Sequence, residues 1–286
     1  MASPHIADLA KHSYWVPGIT NGEHNPIYVQ THQIPIASGT LDHYCFVNKF
    51  GRDTGVSTSV VDVNRSASPA VYSWPTSAVK LEAISSSAND TAAGTGARTI
   101  VVEGLDINLA KISETITMNG TSASTATTQS FFRIHRAYVD TCGAYATSTS
   151  GSHAGNITIR TVSAGATHIY LPIADVPTGQ SEVARYTVPA GCTAYLVHAF
   201  FSVDANKTAT FWLMRRLSSN TVAAPFGAKR ILETFDGIKT PFAREWEAPI
   251  KLDSGTDIWV AVKGEGSGTS VSASFDLIEM DNDFSH

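Results

Sequence analysis

The residues able to do chemistry are few and scattered. His135 lies in Phe131-Phe-Arg-Ile-His-Arg-Ala-Tyr138, with Asp140 and Cys142 a few positions on. A thiol beside an imidazole can act as a nucleophile, but only with the base in hydrogen-bond reach. On an extended strand His135 falls on the side of Arg133, which favours a packed, structural imidazole. Glu245 and Glu247 are two apart. On one strand face their backbones lie ~6.5–7 Å apart, a spacing compatible with glycoside hydrolysis. Trp246 between them points the other way, and Ala243 and Ala248 flank them blandly. A solvated or interface face is the better reading.

Metal and cofactor chemistry find no support. His5, His12, His24, His32 and His43 are 7, 12, 8 and 11 positions apart, not a ligand-pair spacing. Glu279, Asp281, Asn282 and Asp283 lack the glycine and distal glutamate of a calcium loop. There is no Gly-x-Ser-x-Gly, P-loop or His-Glu-x-x-His motif. The sequence thus predicts no catalytic, cofactor-binding or metal-binding residue. Four aromatics, Tyr195, Phe200, Trp246 and Trp259, can stack on a sugar if exposed, although core packing is the plainer use of such rings.

Composition narrows the class. In 286 residues, 43% are apolar and only 16% charged, with net charge −5. Serine, threonine, alanine and glycine fill the charge deficit, which suits β-sandwiches with hydroxyl-rich faces. No basic stripe is present for a nucleic acid. No run approaches the ~18 apolar residues of a membrane span. The opening Met1-Ala-Ser-Pro-His5 lacks the basic start and apolar stretch of a secretory signal, so synthesis in a cytoplasm is expected. Cys45, Cys142 and Cys192, odd in number and widely spaced, read as small buried hydrophobes rather than a disulfide framework.

The elements that must position these residues read as strands. Tyr186-Thr-Val-Pro-Ala-Gly-Cys-Thr-Ala-Tyr195 predicts a strand, a tight Pro-Ala-Gly turn and a second strand. In 271–280, Val271, Ala273, Phe275 and Leu277 share one face, and Ser272, Ser274 and Asp276 the other. Thr208–Leu217 differs. There Phe211 and Leu213 face one way and Trp212 and Met214 the other, so the strand is central or lies against a neighbouring subunit. Many short strands and frequent turn signals predict an all-β, jelly-roll-like antiparallel β-sandwich. Two sandwich regions are expected, at 71–178 and 179–286, behind an irregular N-terminal arm at 1–70. The arm carries Ile6, Leu9, Tyr14, Trp15, Ile27 and Tyr28, poor choices for a free tail. Together with Trp212 and Met214 these are the predicted interface residues.

Several stretches resemble a family of virion structural proteins of tailed bacteriophages, many of them marine. They are Asn48-Lys-Phe-Gly-Arg52, Tyr72-Ser-Trp-Pro-Thr76, 81–98, Glu103-Gly-Leu-Asp106, Met118-Asn-Gly-Thr121, 188–195 and 271–278. The resemblance covers most of the chain from about residue 45 onward, and its motifs are turns and strands. It implies a non-enzymatic particle component: a capsid cement or decoration protein, or a head fibre. Such a component would be located in the virion, assembled as a homo-oligomer such as a trimer, with other virion proteins such as the major capsid protein as partners. The rival reading is a tail fibre or tailspike that binds a host surface glycan.

Overall fold

The computed structural model describes residues 36, 38–39, 41–145, 151–173 and 179–283. The described residues are all-β. Their strands, in chain order, are β1 (Tyr44–Val56), β2 (Val61–Asp62), β3 (Leu81–Ser85), β4 (Ala97–Leu105) and β5 (Lys111–Thr117). There follow β6 (Arg133–Cys142), β7 (Ile157–Thr161), β8 (Thr167–Leu171), β9 (Arg185–Thr187) and β10 (Cys192–Val203). The chain ends in β11 (Ala209–Arg216), β12 (Lys229–Ile238), β13 (Phe242–Leu252), β14 (Asp257–Gly264) and β15 (Thr269–Asp281).

Two sheets form a sandwich. One has the order β1-β15-β10-β13 and the other β12-β11-β14-β2, with β9 also paired to β14. Consider β1, β2 and β10 to β15 as eight strands in chain order. The first pairs with the eighth, the second with the seventh, the third with the sixth and the fourth with the fifth, all antiparallel. This is the pairing of one long hairpin rolled up on itself. The period-two pattern of the last strand explains its place: Val271, Ala273, Phe275 and Leu277 are buried and join one core with Phe201, Phe211, Leu213, Ile258, Val260 and Val262. Burying each large side chain contributes ~1.5–3 kcal/mol. The predicted Pro-Ala-Gly turn links β9 to β10, and its Gly191 adopts the left-handed φ of 73° that favours glycine.

Strands β3 to β8 form an inserted unit between β2 and β9. They make two three-stranded sheets, β3-β7-β8 and β5-β4-β6. A second core of Leu81, Ile100, Val102, Phe131, Ile134, Ile157 and Ile159 lies within it. Its loops converge on Asp90, which is fully buried. The Asp90 carboxylate accepts from the amides of Ala97, Ala154 and Gly155 at 2.7–2.9 Å and from the Ser85 hydroxyl at 2.5 Å.

This corrects the expectation of an irregular arm over 1–70. Residues 44–56 form a strand paired to β15 along its length, and 61–62 pair with β14. The sandwich is therefore discontinuous in sequence. The physical reason lies in β1's burial pattern: its buried positions include Lys49, Gly51 and Asp53, while Phe46 and Phe50 face out. Glycine at 51 is required by close packing, because a Cβ there would meet the Val63 carbonyl oxygen at 2.2 Å. Ile6, Leu9, Tyr14, Trp15, Ile27 and Tyr28 lie outside the described residues.

A buried ion cluster ties the inserted unit to the sandwich. Arg133 on β6 reaches Asp257 on β14, and Arg216 on β11 meets the same carboxylate. Thr187 donates its hydroxyl to it at 2.6 Å. The Arg133 guanidinium also caps the carbonyls of Pro75, Phe132 and Ser219 at 2.9–3.1 Å.

Candidate interaction faces

The residues considered for catalysis are held apart. His135 is buried, and its Nε2 accepts from the Thr187 amide at 3.1 Å, so this ring nitrogen serves the backbone. Burial, and then the neighbouring Lys49 charge, hold its pKa well below the usual imidazole range. Cys142 ends the same strand, seven positions on, about 23 Å along an extended chain. Its thiol donates to the Ala144 carbonyl at 3.2 Å. Glu245 and Glu247 are exposed on edge strand β13, as a solvated face requires.

The other titratable cluster is also built for packing. Glu279 is buried and accepts from the Tyr186 hydroxyl at 2.6 Å, from Lys111, and from the Cys45 thiol at 3.5 Å. Burial, with Glu279 beside it, raises the Tyr186 phenol well above its usual range. The same causes raise the Cys45 thiol and push Cys192 up to about 11. Such thiols are protonated and poorly nucleophilic. Among the described residues no group of three or more His, Cys, Asp or Glu side chains could hold a metal ion. No helix there is long and apolar enough to cross a membrane.

The four aromatics considered for sugar stacking separate. Trp259 is buried, in edge contact with Trp74 at 5.6 Å between ring centres. Trp246 packs against the sandwich core and donates to Glu233 at 3.2 Å. Tyr195 and Phe200 are half-buried on β10 and face outward. Strand register places them on the outer face of the first sheet. Tyr195 lies opposite Ile278 and Phe200 opposite Ser274. Across β15, Phe46 is opposite Ile278 and Phe50 opposite Ser274. Phe46 is 46% and Phe50 37% exposed. Asp276 sits at the middle of this face, accepting from Asn48 at 2.5 Å and lying 3.3 Å from Nδ1 of His198. The result is an aromatic-rimmed face with a hydrogen-bonded polar centre.

The sequence missed Phe46 and Phe50, although their alternation with Val47 and Lys49 is visible once β1 is known. The predicted pair Trp212 and Met214 lies half-buried on the outer face of the second sheet. The strand is central there, between β12 and β14. Ile231, opposite Met214, is 56% exposed.

No protein-family model matches the chain, and no curated protein matches it. Solved structures give faint likenesses. The structure of infectious bursal disease virus Gt strain aligns at 10% identity over 84% of this chain and 73% of that one, with TM-score 0.24. The VP2 subviral particle of infectious bursal disease virus aligns at 11% identity over 85% and 74%, with TM-score 0.25. The PBSX exported protein XepA aligns at 12% identity over 80% and 86%, with TM-score 0.18. Scores of this size do not establish a common fold.

Proposed function

We propose that this chain is a non-enzymatic structural component of a virus particle, of the tailed-phage type its sequence resembles. Within the particle its place is that of a capsid cement or decoration protein, or a head fibre. The observation that carries this is the rolled-up pairing of β1, β2 and β10 to β15, which we read as a jelly roll with an inserted unit. Jelly rolls serve viral capsid and lectin domains among others, so the fold is an analogy and the faces must supply the function. The outer face around Asp276 suits contact: exposed rings supply area, and a satisfied polar centre adds specificity. Copies would associate as a homo-oligomer, a trimer in the arrangement we favour, and dock on other virion proteins. A standard specific interface buries ~1,600 Å².

A second reading is favoured by the same face. Phe46, Phe50, Tyr195 and Phe200 surround polar groups in a way that also suits a glycan, as in a tail fibre or tailspike. Reconstitution tests the first reading and separates the two. Particles lacking this chain are mixed with wild type or with the double variant Phe46→Asp, Phe50→Asp. Uptake of the wild type alone, without competition by host-surface glycan, supports the structural role. No uptake of either overturns it, and loss of host-cell attachment by the variant alone favours the fibre.

A further inference from the structure

A cavity of about 320 Å³ lies between the 64–73 segment, β8 and β9. Its wall includes Arg185, Asn64, Arg65, Tyr72 and His168, and among the described residues no aspartate or glutamate lines it. The volume falls in the ~300–1,000 Å³ range of small-ligand pockets. Arg185 is only 1% exposed. One of its nitrogens, Nη2, donates to the His168 carbonyl at 2.7 Å, and the guanidinium stacks 3.7 Å from the Tyr72 ring centre. Its Nε and Nη1 have no hydrogen-bond partner among the described residues. A buried cation with unmet donors is costly unless something answers it. Asn64, also buried and on the same wall, has no partner for its Oδ1 among the described residues.

The neighbours are otherwise committed. The His168 ring is held at both nitrogens, by the Tyr72 hydroxyl at 3.1 Å and the Thr161 hydroxyl at 2.9 Å. Arg65 donates to the Thr54 hydroxyl at 2.6 Å. Asp62 lies close enough for its charge to act on Arg185, and it accepts from the Tyr72 amide at 2.7 Å.

We infer that this cavity binds a small hydroxylated carboxylate, the chemistry of an acidic sugar. The carboxylate accepts from an unpartnered Arg185 nitrogen, and a ligand hydroxyl donates to Asn64 Oδ1. A charge-assisted hydrogen bond of this kind is shorter and stronger than a neutral one. Unmet donors and an unmet acceptor on one wall call for a ligand carrying both complements. A phosphate dianion brings a second negative charge. With the Asp62 charge already acting on Arg185, the site favours a single negative charge.

The test uses the full-length chain, with calorimetry and thermal melts in glucuronate, glucose and inorganic phosphate. Glucuronate should bind saturably at one site per chain and raise the melting midpoint, whereas glucose should not. Arg185→Met should weaken glucuronate binding at least about tenfold, the size of one lost charge-assisted hydrogen bond. Should that variant fail to fold, Ala166→Trp, at an exposed rim position, should block binding while leaving the fold intact. No saturable binding, equal binding of glucose, or a response to phosphate alone overturns the inference. So does glucuronate binding that survives both substitutions.

Discussion

The guanidinium of Arg133 and the carboxylate of Asp257 meet in a two-point contact, at 2.9 and 3.3 Å, across the seam between the inserted unit and the sandwich. Both side chains are buried. A buried pair adds little net stability over an apolar isostere, but removing one partner strands the other. Asp257→Asn removes the counter-charge of Arg133 and of Arg216 together. It should cost ~3–5 kcal/mol. Urea denaturation read separately in the two units checks this. The variant should unfold first at the inserted unit, while the wild type unfolds in one transition. A loss under about 1 kcal/mol, with one transition kept, contradicts a structural seam.

Asp90 gives a local counterpart. Asp90→Asn keeps the size but replaces one acceptor with an NH2 donor facing donors, leaving the amides of Ala97, Ala154 and Gly155 short of a charged partner. The expected loss is about 3 kcal/mol, since each stranded buried group costs ~1–3 kcal/mol. Hydrogen exchange should quicken at these three amides well before the sandwich core responds. Unchanged exchange there contradicts the hub assignment.

Phe275 tests the register of the last strand. It is fully buried, opposite Lys49 on one side and Ala199 on the other. Phe275→Ala should cost ~3–5 kcal/mol. Ser274→Leu, on the outer face between Phe50 and Phe200, should leave the denaturation midpoint nearly unchanged. The reverse outcome contradicts the register.

That strand was legible because its alternation is apolar inward and polar outward. The same rule hid β1, where the buried positions include Lys49, Gly51 and Asp53 and the outward ones Phe46 and Phe50. An inverted pattern reads as an irregular arm when only hydrophobic period is followed. The outer face around Asp276 was half legible. Tyr195 and Phe200 were visible as rings, but their partners on β1 came only with the pairing of 44–56 to β15. The Arg133–Asp257 seam joins residues 124 positions apart, and no local pattern announces such a contact.

Lys49 sets a pH signature. Its Nζ donates to the His135 carbonyl at 2.6 Å, and burial, then the Arg185 and Arg136 charges, lower its pKa to about 7. The unfolded chain keeps the proton up to the ordinary lysine range, near 10.5. Between these values the unfolded state binds more protons, so this group's contribution to stability rises with pH from about 7 toward 10. Lys49→Met should remove that rise. Urea midpoints at pH 7 and pH 9 check it. The wild type should gain relative to the variant on going to pH 9, and a constant difference contradicts the shift.

The most direct measurement of the structural role is the copy number of this chain in purified, washed particles, by quantitative gel or mass spectrometry against the major capsid protein. A cement or decoration protein should be present in a fixed ratio to the capsid protein, far above the few copies of a tail fibre. A count at the tail level contradicts the cement assignment, and absence from washed particles contradicts the virion role altogether.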